Sequence, residues 1–340
     1  MKLMDGIANK WTTKELRQGG VLEWLIRERM SVILTGPPGI GKTDVVRQVT
    51  TEDMEWDIID WFRLSQADPV DLKGLPMIKD GQATFGRPYW FPQDPNWQGV
   101  VFLDEVGQGP EATQAAAMQV VLELRSGEHR LPDTVSVVAA SNRVEDRAGV
   151  HRMLAPLSRR FIWAEVIPDV PPWCTWAYQS GKVHPMIVAF IRFRPALLHD
   201  FDPKRTVDPN PRAWEKVSRI VSSNLPVPMQ SKLICGTVGE GPTIELEAFR
   251  GSWTQIPNLD AVLLNPATHS IPTDMSVRFA VAGALASRAD RRNVGAVLTY
   301  AERLGDELAM FVAQDMTARD ETLASTQAFT KFGIAHQGLL

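Results

Sequence analysis

Gly36-Pro37-Pro38-Gly39-Ile40-Gly41-Lys42-Thr43 constrains this chain more than any other stretch. Ser31-Val32-Ile33-Leu34-Thr35 precedes it and reads as a short apolar strand. Asp44-Val45-Val46-Arg47-Gln48-Val49-Thr50 follows and reads as the start of a helix. The spacing fits the phosphate-loop pattern G-x-x-x-x-G-K-[ST]. Such a loop needs glycines because its backbone turns tightly and aims N–H groups inward at phosphate oxygens. The helix beginning near Gly41 adds the positive end of its dipole beneath the same anion. Lys42 is placed to reach the β- and γ-phosphates, and the Thr43 hydroxyl to bind Mg²⁺. A chance glycine-rich turn is the competing account; the apolar strand before the loop and the apolar helix after it argue against that.

Further strands extend the same sheet. Trp56 to Leu64, rich in Ile, Trp and Phe, reads as the second. Gly99 leads into Val100-Val101-Phe102-Leu103-Asp104-Glu105, a continuous apolar run of the kind buried on both faces. Its two acids emerge at the strand's C-terminal end, where open α/β sheets bind ligands. Asp104 is placed to hold Mg²⁺, and Glu105 to polarise the water that attacks the γ-phosphate. Thr134 to Ala140 is another buried strand, delivering Ser141 and Asn142 to that edge. Asn142 could bind the γ-phosphate or position the water, against the plainer reading of a turn-forming Asn. Phe161 to Val166 reads as a fifth strand. Helices are expected at Leu16 to Met30, Asp44 to Thr51, Pro110 to Arg125 and His151 to Arg160. Between the second and third strands, Asp80-Gly81 joins two short arms near residues 77–85. That is a hairpin signal inside a longer insertion at about 68–92.

Composition narrows the remaining classes. At 340 residues the chain has room for two domains. A net charge of −4 argues against a broad surface for nucleic acid or anionic lipid. No apolar run resembles a leader or is long enough to cross a bilayer, so a cytoplasmic protein is expected. The two cysteines, Cys174 and Cys235, lack metal-type spacing and are expected as reduced, buried thiols. No H-E-x-x-H pattern supports a zinc protease, and Ser141 lacks the G-x-S-x-G setting of a hydrolase elbow. His129 reads as structural or as a subunit contact.

Pro168-Asp169-Val170-Pro171-Pro172 is the clearest linker, because prolines break helix and strand alike. It divides an α/β part, residues 1–168, from a helical part, residues 169–340. Helices are expected there at His184 to Leu198, Arg212 to Ser222, Leu225 to Phe249 with breaks at its glycines, Val277 to Ala286 and Val294 to Asp315.

The phosphate loop, Leu103-Asp104-Glu105, Asn142 and Leu157-Ser158-Arg159-Arg160-Phe161 fall in an order that resembles AAA+ ATPases. Asp71-Leu72-Lys73-Gly74 and its hairpin look like the helix-2 insert of the MoxR branch. Asn210-Pro211-Arg212-Ala213-Trp214 is similar to that branch's second sensor. The resemblance implies a P-loop NTPase fold, with a parallel five-stranded sheet flanked by helices and then an all-α lid and a C-terminal helical extension. It implies ATP and Mg²⁺ as cofactors, with Gly36 to Thr43 as Walker A, Asp104 and Glu105 as Walker B, and Asn142 as the first sensor. Arg160, or its neighbour Arg159, becomes the finger reaching a neighbouring subunit's nucleotide, and Arg212 the second sensor. Paired arginines at a helix end also suit the dipole with no catalytic role. A homo-oligomeric ring, commonly a hexamer, is implied, together with remodelling of a protein client, often beside a von Willebrand A domain partner. No Asp-x-Ser-x-Ser run supplies that domain here. The competing readings are a nucleic-acid motor or loader on the same core, and a module that uses ATP as an assembly switch.

Overall fold

The computed structural model describes residues 9–146 and 153–336, and the chain divides into two units, Met1–Pro168 and Asp169–Leu340. In the first unit the strands are β1 (Lys10–Trp11), β2 (Val32–Thr35), β3 (Asp57–Arg63), β4 (Pro76–Lys79), β5 (Gln82–Phe85), β6 (Gly99–Asp104), β7 (Arg125–Ser126), β8 (His129–Arg130), β9 (Val135–Ser141) and β10 (Ile162–Val166). Its helices are α1 (Thr13–Arg17), α2 (Val21–Arg27), α3 (Lys42–Arg47), α4 (Pro69–Lys73), α5 (Glu111–Glu123) and α6 (Ala155–Ser158).

The central sheet is parallel throughout, in the order β1-β10-β2-β9-β6-β3. The five expected strands are present, and the two-residue β1 adds an edge beside β10. Strands β2 and β9 are buried at every position, because side chains alternate between two covered faces. Val32, Leu34, Val100, Phe102, Val138 and Ala140 pack with Leu22 and Ile26 of α2 and with Val45 and Val46 of α3. Ile33, Val101, Leu103, Val137 and Ala139 pack with Ala116, Ala117 and Val120 of α5 on the other face. The sheet is thereby held rigidly, with the C-terminal ends of β2, β6 and β9 side by side.

Several helix boundaries differ from the expectation. The stretch 16–30 is two helices, α1 and α2, separated by a turn at Gly19-Gly20. Helix α3 continues into wider π-helical turns at Gln48–Asp53. The helix expected from His151 begins at Ala155; His151 itself lies outside the described residues. The insertion holds the expected hairpin, β4 paired antiparallel with β5, turning at Asp80 (φ 51°) and Gly81 (φ 77°). Positive φ at both central residues is the geometry whose twist suits a two-residue hairpin. The hairpin exposes Met77 and Ile78, and its base is tied to the β7–β8 hairpin by Thr84 Oγ1 donating to Glu128 (2.6 Å). His129 Nε2 lies 3.0 Å from the Phe85 carbonyl oxygen, which gives this histidine a structural place.

The second unit is helical among its described residues: α7 (Val170–Ser180), α8 (Pro185–Phe193), α9 (Pro211–Val221), α10 (Val227–Val238), α11 (Glu240–Trp253), α12 (Leu259–Leu264), α13 (Met275–Arg288), α14 (Val294–Leu304), α15 (Asp306–Arg319) and α16 (Gln327–Ala335). The two units part after Pro168, within the proline run, and Pro171 and Pro172 occupy first-turn positions of α7, where a missing N–H costs nothing. The expected helix 184–198 ends at Phe193 before Pro195 and is not amphipathic. Met186 to Ile191 are all buried, so α8 is apolar around its whole circumference and runs through the middle of this unit. Arg192 of α8 is bonded to Asp315 of α15 (2.5 Å), a pair sealed inside the unit. Burial pushes the Asp315 carboxyl up to about 6, against the pull of Arg192. Both cysteines are free; Cys174 is buried, with its thiol pushed up by desolvation, and Cys235 is only partly buried. Among the described residues no helix is long and apolar enough to cross a membrane.

Candidate nucleotide site

The site lies at the C-terminal edge of the sheet, between β2 and β9, which pair up to Thr35 opposite Ser141. The loop leaves β2 at Gly36 (φ 153°), where a Cβ would stand 2.4 Å from the Val166 carbonyl oxygen. It enters α3 at Gly41 (φ 92°). Both positions require glycine, the first for close approach and the second for its backbone conformation.

Lys42 is buried, and its ammonium donates to the carbonyls of Gly36 (2.8 Å) and Pro37 (2.8 Å) and to Asn142 Oδ1 (3.0 Å). The last contact spans the loop after β2 and the end of β9. Thr43 Oγ1 donates to Asp104 Oδ2 (2.9 Å), joining the loop to the end of β6. The second Asp104 oxygen accepts from the Glu105 N–H (2.8 Å), so the carboxylate is fixed on both sides. Asp44 lies in the first turn of α3, beside Thr43.

Glu105 holds a left-handed backbone conformation (φ 56°), uncommon for a residue with a Cβ. Its carboxylate accepts a bond from Ser65 Oγ, just beyond the end of β3. Sequence reasoning passed over Ser65, yet a signal existed: it is the first polar residue after a strand expected to end at Leu64, on the edge already picked out by Asp104 and Asn142. Arg143 was also missed. It follows Asn142 and bonds Asp146 and Glu165, and these carboxylates raise its guanidinium pKa further. A cavity of about 490 Å³ adjoins the site, lined by Thr35, Ser141, Asn142, Arg143, Ser158 and Arg159 among others. Arg159 thus shares a cavity with Asn142 of its own chain. Arg159 and Arg160 are both exposed, and neither forms an ion pair among the described residues.

The structure brings Lys42, Thr43, Asp104, Glu105 and Asn142 together at one sheet edge. Arg212 belongs to the second unit and is described within it. Asn210 caps α9 by accepting from the Ala213 N–H (3.0 Å), Pro211 opens the helix, and Trp214 is fully buried with its indole N–H on the Leu197 carbonyl (2.7 Å). Arg212 is left exposed in the first turn.

These donors fit a magnesium–triphosphate. Lys42 offers a cation beside a glycine-rich turn, and Thr43 with Asp104 offers two hard oxygens at one point. Mg²⁺ characteristically takes one or two protein ligands and the rest from phosphates and water, which the Thr43–Asp104 pair matches.

Comparison with known proteins agrees with this geometry. The sequence profile of the ATPase family associated with various cellular activities (AAA) matches residues 32–161. No curated protein matches the chain. Among solved structures, NtrX from Brucella abortus in complex with ATP is 14% identical with a TM-score of 0.42, covering 94% of this chain and 68% of that one. NtrX from the same organism in complex with ADP is 15% identical with a TM-score of 0.40, covering 90% and 67%. The parallel sheet and phosphate loop have the AAA+ P-loop NTPase fold, and residues 32–161 are similar to the AAA family's domain.

Proposed function

We propose that this protein hydrolyses ATP, with Mg²⁺, at the edge of β2, β6 and β9, and uses the turnover in a ring of identical subunits to remodel a protein client. One observation carries the hydrolytic reading: Lys42 reaches Asn142 and Thr43 reaches Asp104, so residues from three strand ends converge on one phosphate loop. In this reading the loop N–H groups and Lys42 bind the β- and γ-phosphates, and Thr43 and Asp104 hold the metal. Mg²⁺ held by Thr43 and Asp104 would supply positive charge against the phosphate oxygens. Glu105 accepts the proton of the attacking water as the bond from the γ-phosphorus to the ADP oxygen breaks, and Asn142 contacts the γ-phosphate and orients that water against it.

The ring, the client and the MoxR-type assignment rest on narrower supports. Arg160 is exposed without an ion pair among the described residues, whereas Arg159 lines its own chain's cavity; this favours Arg160 as the finger given to a neighbour. The exposed β4–β5 hairpin after α4 supports the reading of a helix-2 insert and offers Met77 and Ile78 as a client-facing surface. The helical second unit, with Arg212 at the head of α9, supports a lid carrying a second sensor. A von Willebrand A domain partner remains the client-side expectation.

Phosphate release by wild type and Glu105→Gln tests the core of this reading. The variant should bind ATP and lose about 100-fold or more of the turnover. Near-normal turnover in Glu105→Gln removes the general-base role, and a wild type that binds ATP without hydrolysing it replaces the motor with an assembly switch. Sedimentation of Glu105→Gln with ATP tests the ring, which a monomer would overturn.

A further inference from the structure

We infer that Arg143 is a positioning residue that sets the place of Asn142 by clamping the chain just beyond it to two separate carboxylates. The inference rests on Asn142 acting at the nucleotide, as proposed above. Asn142 itself has few anchors: its side chain meets Lys42, and its carbonyl accepts from Ser141 Oγ (2.9 Å). The next residue is held far more firmly. Arg143 Nη2 donates to Asp146 Oδ1 (2.8 Å), while its Nε (3.2 Å) and its backbone N–H (3.1 Å) both reach Asp146 Oδ2. Its Nη1 donates to Glu165 Oε1 (3.1 Å) on β10, with Glu145 at 3.3 Å.

The two main anchors differ in kind. Asp146 is almost wholly buried, so its side chain has one position, and the backbone N–H and guanidinium of Arg143 close on it as a ring. Glu165 belongs to the strand that pairs with β2 through Glu165 opposite Thr35, the residue before the phosphate loop. Arg143 therefore ties the segment after β9 to the strand on the far side of β2. The phosphate loop and Asn142 are referred to the same frame, which fixes the spacing across which Lys42 and Asn142 meet. A planar guanidinium can hold two carboxylates in different directions at once; an ammonium on a flexible stem cannot keep that geometry. Small displacements of a group that orients reactants cost rate steeply.

The test compares Arg143→Ala, Arg143→Lys and Glu165→Gln with Asn142→Ala. In the hydrolysis-impaired Glu105→Gln background, the ratio of ATP to ADP affinity should fall in Arg143→Ala as it does in Asn142→Ala, since only ATP presents the γ-phosphate. With Glu105 intact, kcat should drop roughly tenfold in Arg143→Ala with KM changed less than about threefold. Arg143→Lys should recover little of the loss. Glu165→Gln, which alters a partly exposed anchor and leaves the buried Asp146 paired, should show a smaller fall in the same direction even if Arg143→Ala does not fold. The double variant Asn142→Ala/Arg143→Ala should be no slower than Asn142→Ala alone. An unchanged ATP-to-ADP ratio in both Arg143→Ala and Glu165→Gln, or multiplying losses in the double variant, overturns the inference. If Asn142→Ala itself changes neither ratio nor kcat, the reading of Asn142 fails and the role of Arg143 falls with it. If Asn142→Ala has its effect and Arg143→Ala and Glu165→Gln do not, only this inference fails.

Discussion

Replacing Lys42 with methionine keeps most of the apolar stem and removes the charge. The ammonium has three donors, and its acceptors include the carbonyls of Gly36 and Pro37 and Asn142 Oδ1. A nucleotide does not meet an idle cation, so each phosphate contact replaces a bond already made. The ammonium's bonds to neutral oxygens already involve one charged group and lie at the low end of about 1.5–3 kcal/mol, whereas an anionic phosphate oxygen moves a bond toward the upper end. Exchange therefore yields ~0.7–1.5 kcal/mol per contact, and two contacts, to the β- and γ-phosphates, yield ~1.5–3 kcal/mol. At about 1.4 kcal/mol per tenfold change, Lys42→Met should weaken ATP binding roughly 10- to 100-fold. Calorimetric titration with ATP and Mg²⁺ in the Glu105→Gln background measures this without turnover. Three acceptors lose their donor in the variant, so its melting temperature should be followed beside the titration. A dissociation constant within threefold of the parent, in a folded variant, refutes the placement of phosphates against Lys42 and with it the loop's assignment.

Arg160→Ala should slow turnover at least tenfold while ATP affinity stays within about threefold, as expected of a charge that acts on the transition state from a neighbouring copy; if Arg159→Ala gives that pattern instead, the finger is Arg159. Arg192→Met should destabilise the protein by about 3–5 kcal/mol, because it strands Asp315 in the helical unit. The Asp315 carboxyl titrates at about 6 in the folded chain, above the usual 3.8. Its protonated form therefore favours folding: that contribution is complete below the unfolded value and is lost as pH rises through about 6. The melting temperature of Arg192→Met should accordingly recover more than that of wild type between pH 8 and pH 5, and an unchanged or opposite trend would show that Asp315 is not stranded. At Gly74 (φ 84°) a Cβ would stand 1.8 Å from the Gly86 carbonyl oxygen, so Gly74→Ala should disrupt the hairpin's base. Proteolysis within 75–89 should quicken while ATP affinity holds; unchanged cleavage would show that the base tolerates the methyl.

Much of the first unit was legible because its determinants are local and redundant. Val100 to Leu103 is a short apolar run bounded by Gly99 and Asp104, the length and setting of a strand covered on both faces, and Asp104 ends the run where the strand leaves the core. Asp104, Glu105 and Asn142 stand at or just beyond the ends of such runs and the phosphate loop follows another, so placing the strands placed these candidates. Strand β1 escaped notice because two residues carry no pattern, and their pairing depends on β10, more than a hundred residues away in sequence. Ser65 and Arg143 escaped for a related reason. Neither belongs to a motif, and each has meaning only through a partner brought beside it by folding.

The helical unit shows where residue type alone runs out. Gly236, Gly239 and Gly241 all invited a break in 225–249, and only Gly239 makes one, with φ 89° between α10 and α11. Gly236 and Gly241 sit inside helices. Likewise Gly305, with φ 118°, splits 294–315 into α14 and α15, while Gly283 stays helical, where a Cβ would meet that of Ala189 at 2.5 Å. The same residue thus serves as a hinge or as room for a close helix contact, and the difference lies in what packs against it. Pro171 and Pro172 repeat the point, since proline ends a helix from within and opens one from its first turn. What decides Arg160 is further removed still. A guanidinium whose partner is another molecule's phosphate leaves only the trace of being exposed and unpaired in its own chain; Arg159 shares that trace but also lines its own chain's cavity, so the turnover of Arg160→Ala against Arg159→Ala on the assembled protein is the comparison that decides the finger.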